Sequence, residues 1–142
     1  MLKKLAALVT VGMLVVACGG ASPTTKPEES KAAAAAAPAG ARTVDLEIAA
    51  DKITPATVEV KKGETITFVA KNVSDTEVEL IVGIKKDVDA DSGDSLKEAE
   101  EIAAGASKSV TYTFDGDGPY AYGDQIGDHY AKGAKGDIVI KP

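Results

Sequence analysis

The sequence predicts an all-β domain, a sandwich or barrel of Greek-key type. Three observations carry that expectation. Apolar residues recur at every second position in run after run, as they do in strands with one buried face. The runs are short and separated by Gly- and Asp-rich turns, which suits a sandwich or barrel. No Gly-rich phosphate loop and no strand–helix–strand alternation appears, so a parallel α/β domain is excluded.

In chain order, Val44, Leu46 and Ile48 alternate with Asp45 and Glu47, and Val58 and Val60 flank Glu59. Ile66, Phe68 and Ala70 alternate with Thr67 and Val69 after a turn at Lys61-Lys62-Gly63-Glu64, where Gly63 can take positive φ. A second turn at Asn72-Val73-Ser74-Asp75 leads to Val78, Leu80 and Val82 on one face. After the break at Gly105-Ala106-Ser107 the pattern returns in Val110, Tyr112 and Phe114, then in Tyr120 with Tyr122, then in Ile138 with Ile140. All are expected to be half-buried antiparallel strands. Core packing and hydrogen bonds at the sheet ends account for Tyr112, Tyr120, Tyr122 and Tyr130.

One segment departs from the alternation. Lys85 to Ala104 is acidic, and Leu96, Ala99 and Ile102 are spaced three apart, which predicts one short helix over Ser95–Ile102. Ser95 or Asp94 would cap it, with Glu98 completing a capping box on Ser95. The same excursion holds Asp87, Asp89, Asp91 and Glu98 at positions one, three, five and twelve of an EF-hand-like loop, a possible calcium site. Ser92 stands where such a loop needs glycine, and Gly93 comes one residue late. The default reading is a solvated acidic loop, with calcium the alternative.

The first residues are a sorting signal. Lys3 and Lys4 precede an apolar run from Leu5 to Ala17, too short to span a bilayer as a helix. The ending Val15-Val16-Ala17-Cys18 resembles a bacterial lipobox, and that resemblance implies removal of residues 1–17 and lipidation of Cys18. Residues 18–42, rich in Ala, Pro, Ser and Thr, are expected to be a flexible linker, leaving 43–142 as the folded domain. The mature chain would then sit in the bacterial cell envelope, tied to a membrane on its extracytoplasmic side. Cys18 is the only cysteine, so acylation leaves no thiol in the domain.

Losing Lys3 and Lys4 takes the net charge from −6 to −8. That sign argues against nucleic acid as a partner, because affinity there comes mostly from cations on phosphates. The expected partners are the membrane, through Cys18, and an envelope protein.

Several ordered segments resemble one family. Ile53-Thr54-Pro55 through Phe68 is similar to F-x-P-x-x-I-x-V-x-x-G-D-x-V-x-F of the cupredoxins. Asn72 followed by Val78-Glu79-Leu80-Ile81-Val82-Gly83 is similar to their N-x(5)-H-E-F-x-I-G. Tyr120 to Gly136 is similar to Y-x-Y-x-C-x-I-P-G-H-x-x-x-G-M-x-G, the loop that carries copper ligands in plastocyanin and azurin. The resemblance implies a cupredoxin-type Greek-key fold. In the family it also implies copper held by two imidazoles, a thiolate and a weak axial thioether, for one-electron transfer.

On that match the four ligand positions read Val78, Asp124, His129 and Ala134. Valine and alanine have no donor, aspartate lacks the soft sulfur, and both methionines, Met1 and Met13, lie in the signal. Three readings follow. Val78 and Ala134 fill the former pocket while His129 bonds a loop carbonyl or Asp124; or Asp124 and His129, with Asp128 or Glu77, hold another divalent ion; or copper binds after all. The expectation is a domain without cofactor that has lost blue-copper binding and acts as an interaction module. Copper-based electron transfer or copper carriage is the alternative, and a calcium-stabilised scaffold a third. No catalytic triad or strand-end carboxylate pair appears, so no enzymatic activity is expected.

Overall fold

The computed structural model describes residues 39–142. The predicted signal peptide, Cys18 and the linker up to residue 38 lie outside the described residues. Nine strands and two short helices form the domain, in the order β1 (Arg42–Ala49), β2 (Lys52–Thr54), β3 (Thr57–Lys61), β4 (Thr65–Asn72), β5 (Val78–Ile84), α1 (Lys85–Ala90), β6 (Lys97–Ile102), β7 (Ser107–Thr113), β8 (Tyr120–Gly123), α2 (His129–Lys132) and β9 (Lys135–Lys141). Arg42 already belongs to β1, where its guanidinium bonds Glu64 at 2.7 Å and the Glu59 carbonyl at 2.8 Å. Strand β1 therefore starts one residue inside the predicted linker.

Two sheets face each other, one ordered β2-β1-β4-β7 and the other β3-β9-β8-β5-β6. Side chains from the alternating positions meet between them: Leu46, Ile48, Ile66, Phe68, Leu80, Val82, Phe114 and Tyr122 are fully buried there. Phe114 stands edge-on to Phe68 and to Tyr120, with centroids 6.2 and 5.1 Å apart, a favoured aromatic geometry. The predicted sandwich is the observed one.

Strand direction is a correction. β1 pairs with β4 and β3 with β9 in parallel, while the remaining pairs are antiparallel. Alternation reports which face is buried and is blind to direction, because a strand has the same period either way.

The helix over Ser95–Ile102 is a second correction. Lys97–Ile102 is an edge strand, β6, paired to β5 through Leu80↔Ala99 and Val78↔Ile102. Glu100 and Glu101 thus stand opposite the single residue Glu79, which is a β-bulge. The extra residue puts Ala99 and Ile102 on one buried face three positions apart, and Glu101 adopts φ +52° within the bulge. A bulge has imitated a helical period. The short helix of the excursion is α1 instead, directly after β5. Val88 on α1 is buried with Ile81 and Ala121, so α1 covers the outer face of the five-stranded sheet, with Leu96 and Tyr130 packed alongside.

Candidate functional site

β8 runs between β9 and β5, so whatever follows Gly123 is launched from the middle of the five-stranded sheet. Tyr122 anchors that launch. Its ring lies where a Cβ on Gly136 would come within 2.3 Å, so Gly136 leaves the room, and its hydroxyl donates to the Pro55 carbonyl at 2.5 Å. Gly123 likewise makes room for the ring of Tyr130.

The loop then closes on itself. The Asp124 N–H donates to the Ala134 carbonyl at 2.9 Å, and the Gly133 and Ala134 N–H groups both reach the His129 carbonyl, at 3.1 and 3.0 Å. Gly133 sits at φ +121° and passes close to the Asp51 carbonyl, a position that refuses a side chain on both counts. Inside this ring of backbone bonds lies the Asp124 side chain, with no exposed surface. One carboxylate oxygen accepts the Ile126 N–H at 3.0 Å, an Asx turn, and the other meets His129 Nδ1 at 2.8 Å. His129, at 9% exposure, opens α2.

The structure brings two of the four predicted ligand positions into contact through donor atoms. Val78 and Ala134 are wholly buried members of the main core. Asp128 is exposed and paired to Lys132 at 2.8 Å, and Glu77 is exposed in the β4–β5 connection. Neither joins Asp124 and His129. No group of three or more His, Cys, Asp or Glu side chains able to hold a metal ion occurs among the described residues. Two imidazoles, a thiolate and a thioether are the donor set of a type 1 copper centre; one imidazole, already bonded to a carboxylate, and two aliphatic side chains do not fit it.

The calcium candidates are dispersed, as a solvated acidic loop would leave them. Asp87 and Asp89 are on α1, where residues two apart point to different sides of the helix. Asp87 accepts the Ser95 hydroxyl at 2.7 Å, and this bond, with Lys86 beside it, holds its carboxyl below the usual range. Asp89 accepts the Tyr130 hydroxyl at 2.5 Å; Asp91 ends α1 at φ +48°; Glu98 is exposed on β6. An EF-hand needs these oxygens on one loop around one point. Ser95 caps nothing of its own: its hydroxyl accepts the Ile84 N–H at 3.0 Å, across the start of α1.

Sequence reasoning missed Glu79. It is half-buried on β5 and accepts the Gln125 N–H at 2.9 Å, while the Gln125 amide donates to the Val88 carbonyl at 2.6 Å. Burial pushes the Glu79 carboxyl above its usual range, against the pull of the Gln125 N–H and with Asp124, Asp91 and Glu98 adding repulsion. Its place on the outward face of β5, between the buried Val78 and Leu80, is the signal that alternation alone could have supplied.

Comparison with known proteins agrees with this architecture. Residues 12–140 match the family model described as a cupredoxin-like domain. The copper-resistant cuproprotein CopI of Rubrivivax gelatinosus is 28% identical over 99 residues, 63% of this chain, and the chain spans 60% of that relative's length. Dithionite-reduced auracyanin from Roseiflexus castenholzii superposes with a TM-score of 0.59 at 18% identity, over 72% of this chain and 99% of that one. Auracyanin A, a blue copper protein from Chloroflexus aurantiacus, gives 0.60 at 17%, over 72% and 100%. At such identities these structures establish the fold.

Proposed function

This chain belongs to the cupredoxin-like domain family, and from that membership we propose that it is a family member without a type 1 copper centre, acting as a binding module. Acylated Cys18 would hold it on the extracytoplasmic side of a bacterial membrane, with the acidic domain free to meet an envelope protein. The observation that carries the reading is the donor inventory. Of the four ligand positions two are core aliphatics, Val78 and Ala134, and the other two satisfy each other. A fold does not carry a function once its site has changed. Catalysis is not part of the proposal: among the described residues no hydroxyl, thiol or amine side chain is bonded to the Asp124–His129 pair.

A second reading, copper handling, is favoured by one finding, the likeness to a relative named as a copper-resistant cuproprotein. Copper held there would have to be bound without thiolate, since the described domain has no cysteine. Titrating the purified protein with Cu(II) under an absorption spectrometer tests the first reading. We expect no copper to stay with the chain after desalting. One firmly held copper per chain, whatever its absorption, would overturn the proposal.

A further inference from the structure

The chain holds two Asp-Gly bonds, Asp115-Gly116 and Asp117-Gly118, both in the connection between β7 and β8. An aspartyl side chain can close on the nitrogen of the next residue, and it does so most readily before glycine, where no Cβ obstructs the approach. The reaction needs that nitrogen free to turn toward the carboxyl, and the two glycines differ in this respect. The Gly116 N–H donates to the Tyr120 hydroxyl at 3.0 Å, and the same hydroxyl stands 2.6 Å from where a Cβ on Gly116 would lie. Tyr120 is itself held, buried and edge-on to Phe114. The Gly118 N–H has no hydrogen-bond partner among the described residues, and Gly118 is exposed. The Asp117 carboxylate is exposed too. It pairs with Lys62 at 2.6 Å, and a pair of exposed groups is too weak to hold the carboxyl away from the nitrogen beside it.

We propose that Asp117-Gly118 is a backbone modification site, converting to isoaspartate, and that the Tyr120 hydroxyl keeps Asp115-Gly116 from doing the same. In the first step the Gly118 nitrogen attacks Asp117 Cγ; an N–C bond forms, and the carboxyl hydroxyl leaves with the amide proton as water. Water then opens the resulting cyclic imide. Attack at Cγ restores aspartate, whereas attack at the main-chain carbonyl carbon of Asp117 breaks its bond to Gly118, so that the chain runs through the side-chain carbon. Nothing is oxidised or reduced, and water is the one co-reactant. The product has one more methylene in its main chain and a carboxylate one carbon closer to it, so the negative charge moves off Lys62. That pair ties the turn between β3 and β4 to the β7–β8 connection. Isomerisation is therefore a slow, one-way change in how this end of the sandwich is fastened, and it acts without any ligand.

The test is incubation of the full-length protein in warm, mildly acidic buffer, beside a sample kept unfolded in guanidinium chloride. Tryptic digestion and electron-transfer fragmentation then tell isoaspartate from aspartate residue by residue, and each bond is compared with itself unfolded. In the folded protein we expect isoaspartate at Asp117, preceded by a species lighter by one water. Folding should slow Asp115 about fivefold more than it slows Asp117, the factor that one hydrogen bond confers. Tyr120→Phe keeps the ring and removes the hydroxyl, and should bring the two bonds level. No isoaspartate at Asp117 in the folded protein, or equal slowing of the two bonds in the wild type, would overturn the proposal. Asp115 still protected in Tyr120→Phe would overturn the role given to the hydroxyl. The wild-type comparison decides which bond reacts even where the variant folds poorly.

Discussion

The loop from Asp124 to Ala134 and the excursion from Lys85 to Ile102 both interrupt the five-stranded sheet with polar sequence, yet only the first gathers its polar groups. In the loop, backbone bonds from Asp124, Gly133 and Ala134 enclose one buried carboxylate that serves two partners, Ile126 and His129. In the excursion, four carboxylates with suggestive spacing end on a helix, at a helix end and on an edge strand, each facing water or a neighbour of its own. Spacing along the chain brings oxygens together only when the backbone curls around a point. A helix and a bulged strand carry them apart.

The largest effect expected from this contrast is at Asp124. Asp124→Ala leaves the Ile126 N–H and the His129 ring without their acceptor inside a closed loop, and should cost about 3 kcal/mol of unfolding free energy in urea. Asp89→Ala removes an exposed carboxylate beside Lys85 and Tyr130 and should change stability by less than about 0.5 kcal/mol. Equal losses would break the distinction between the two regions.

The sequence made one of these regions legible and hid the other. Tyr120, Tyr122, Gly133 and Gly136 frame the loop in the order of the cupredoxin loop they resemble, and Tyr122 packs over Gly136. The core strands were readable for the same reason, since each buried side chain needs its alternate position. The Asp124–His129 bond stood among the readings of the sequence, but the Asx turn on the Ile126 N–H did not, because it depends on how the backbone bends after Asp124. In the excursion, Ala99 and Ile102 are brought into phase by the extra residue at Glu100–Glu101, and nothing local in the sequence distinguishes that from a helical turn. The parallel pairs β1 with β4 and β3 with β9 were hidden for a different cause, as pairing partners are set by the whole topology.

Ser95 sharpens the comparison from the other side, because its hydroxyl fastens the excursion to the end of β5. Its hydroxyl accepts the Ile84 N–H and donates to Asp87, linking the end of β5 to α1. Ser95→Ala should cost about 1 kcal/mol in the same urea experiment. A loss matching that of Asp124→Ala would mean that the excursion is fastened as tightly as the loop.

The smallest expected effect lies where the two regions touch. Glu79 accepts a bond from Gln125 in the loop and faces Asp91 and Glu98 of the excursion, so its charge is held next to other negative charge in a half-buried place. Its carboxyl titrates above the usual range chiefly because of burial. The folded state therefore binds that proton more tightly than the unfolded chain, and the stabilisation is complete below the unfolded value of about 4.3 and lost as pH rises through the folded one. Glu79→Gln keeps an oxygen for the Gln125 N–H without ever acquiring the charge. It should match the wild type near pH 4 and be the more stable of the two at pH 7, by less than about 1 kcal/mol because solvent screens a half-exposed group. Urea midpoints measured across that range check the sign. A variant less stable at pH 7 than the wild type would mean that the negative charge on Glu79 is what holds Gln125, and through Gln125 the loop, against α1.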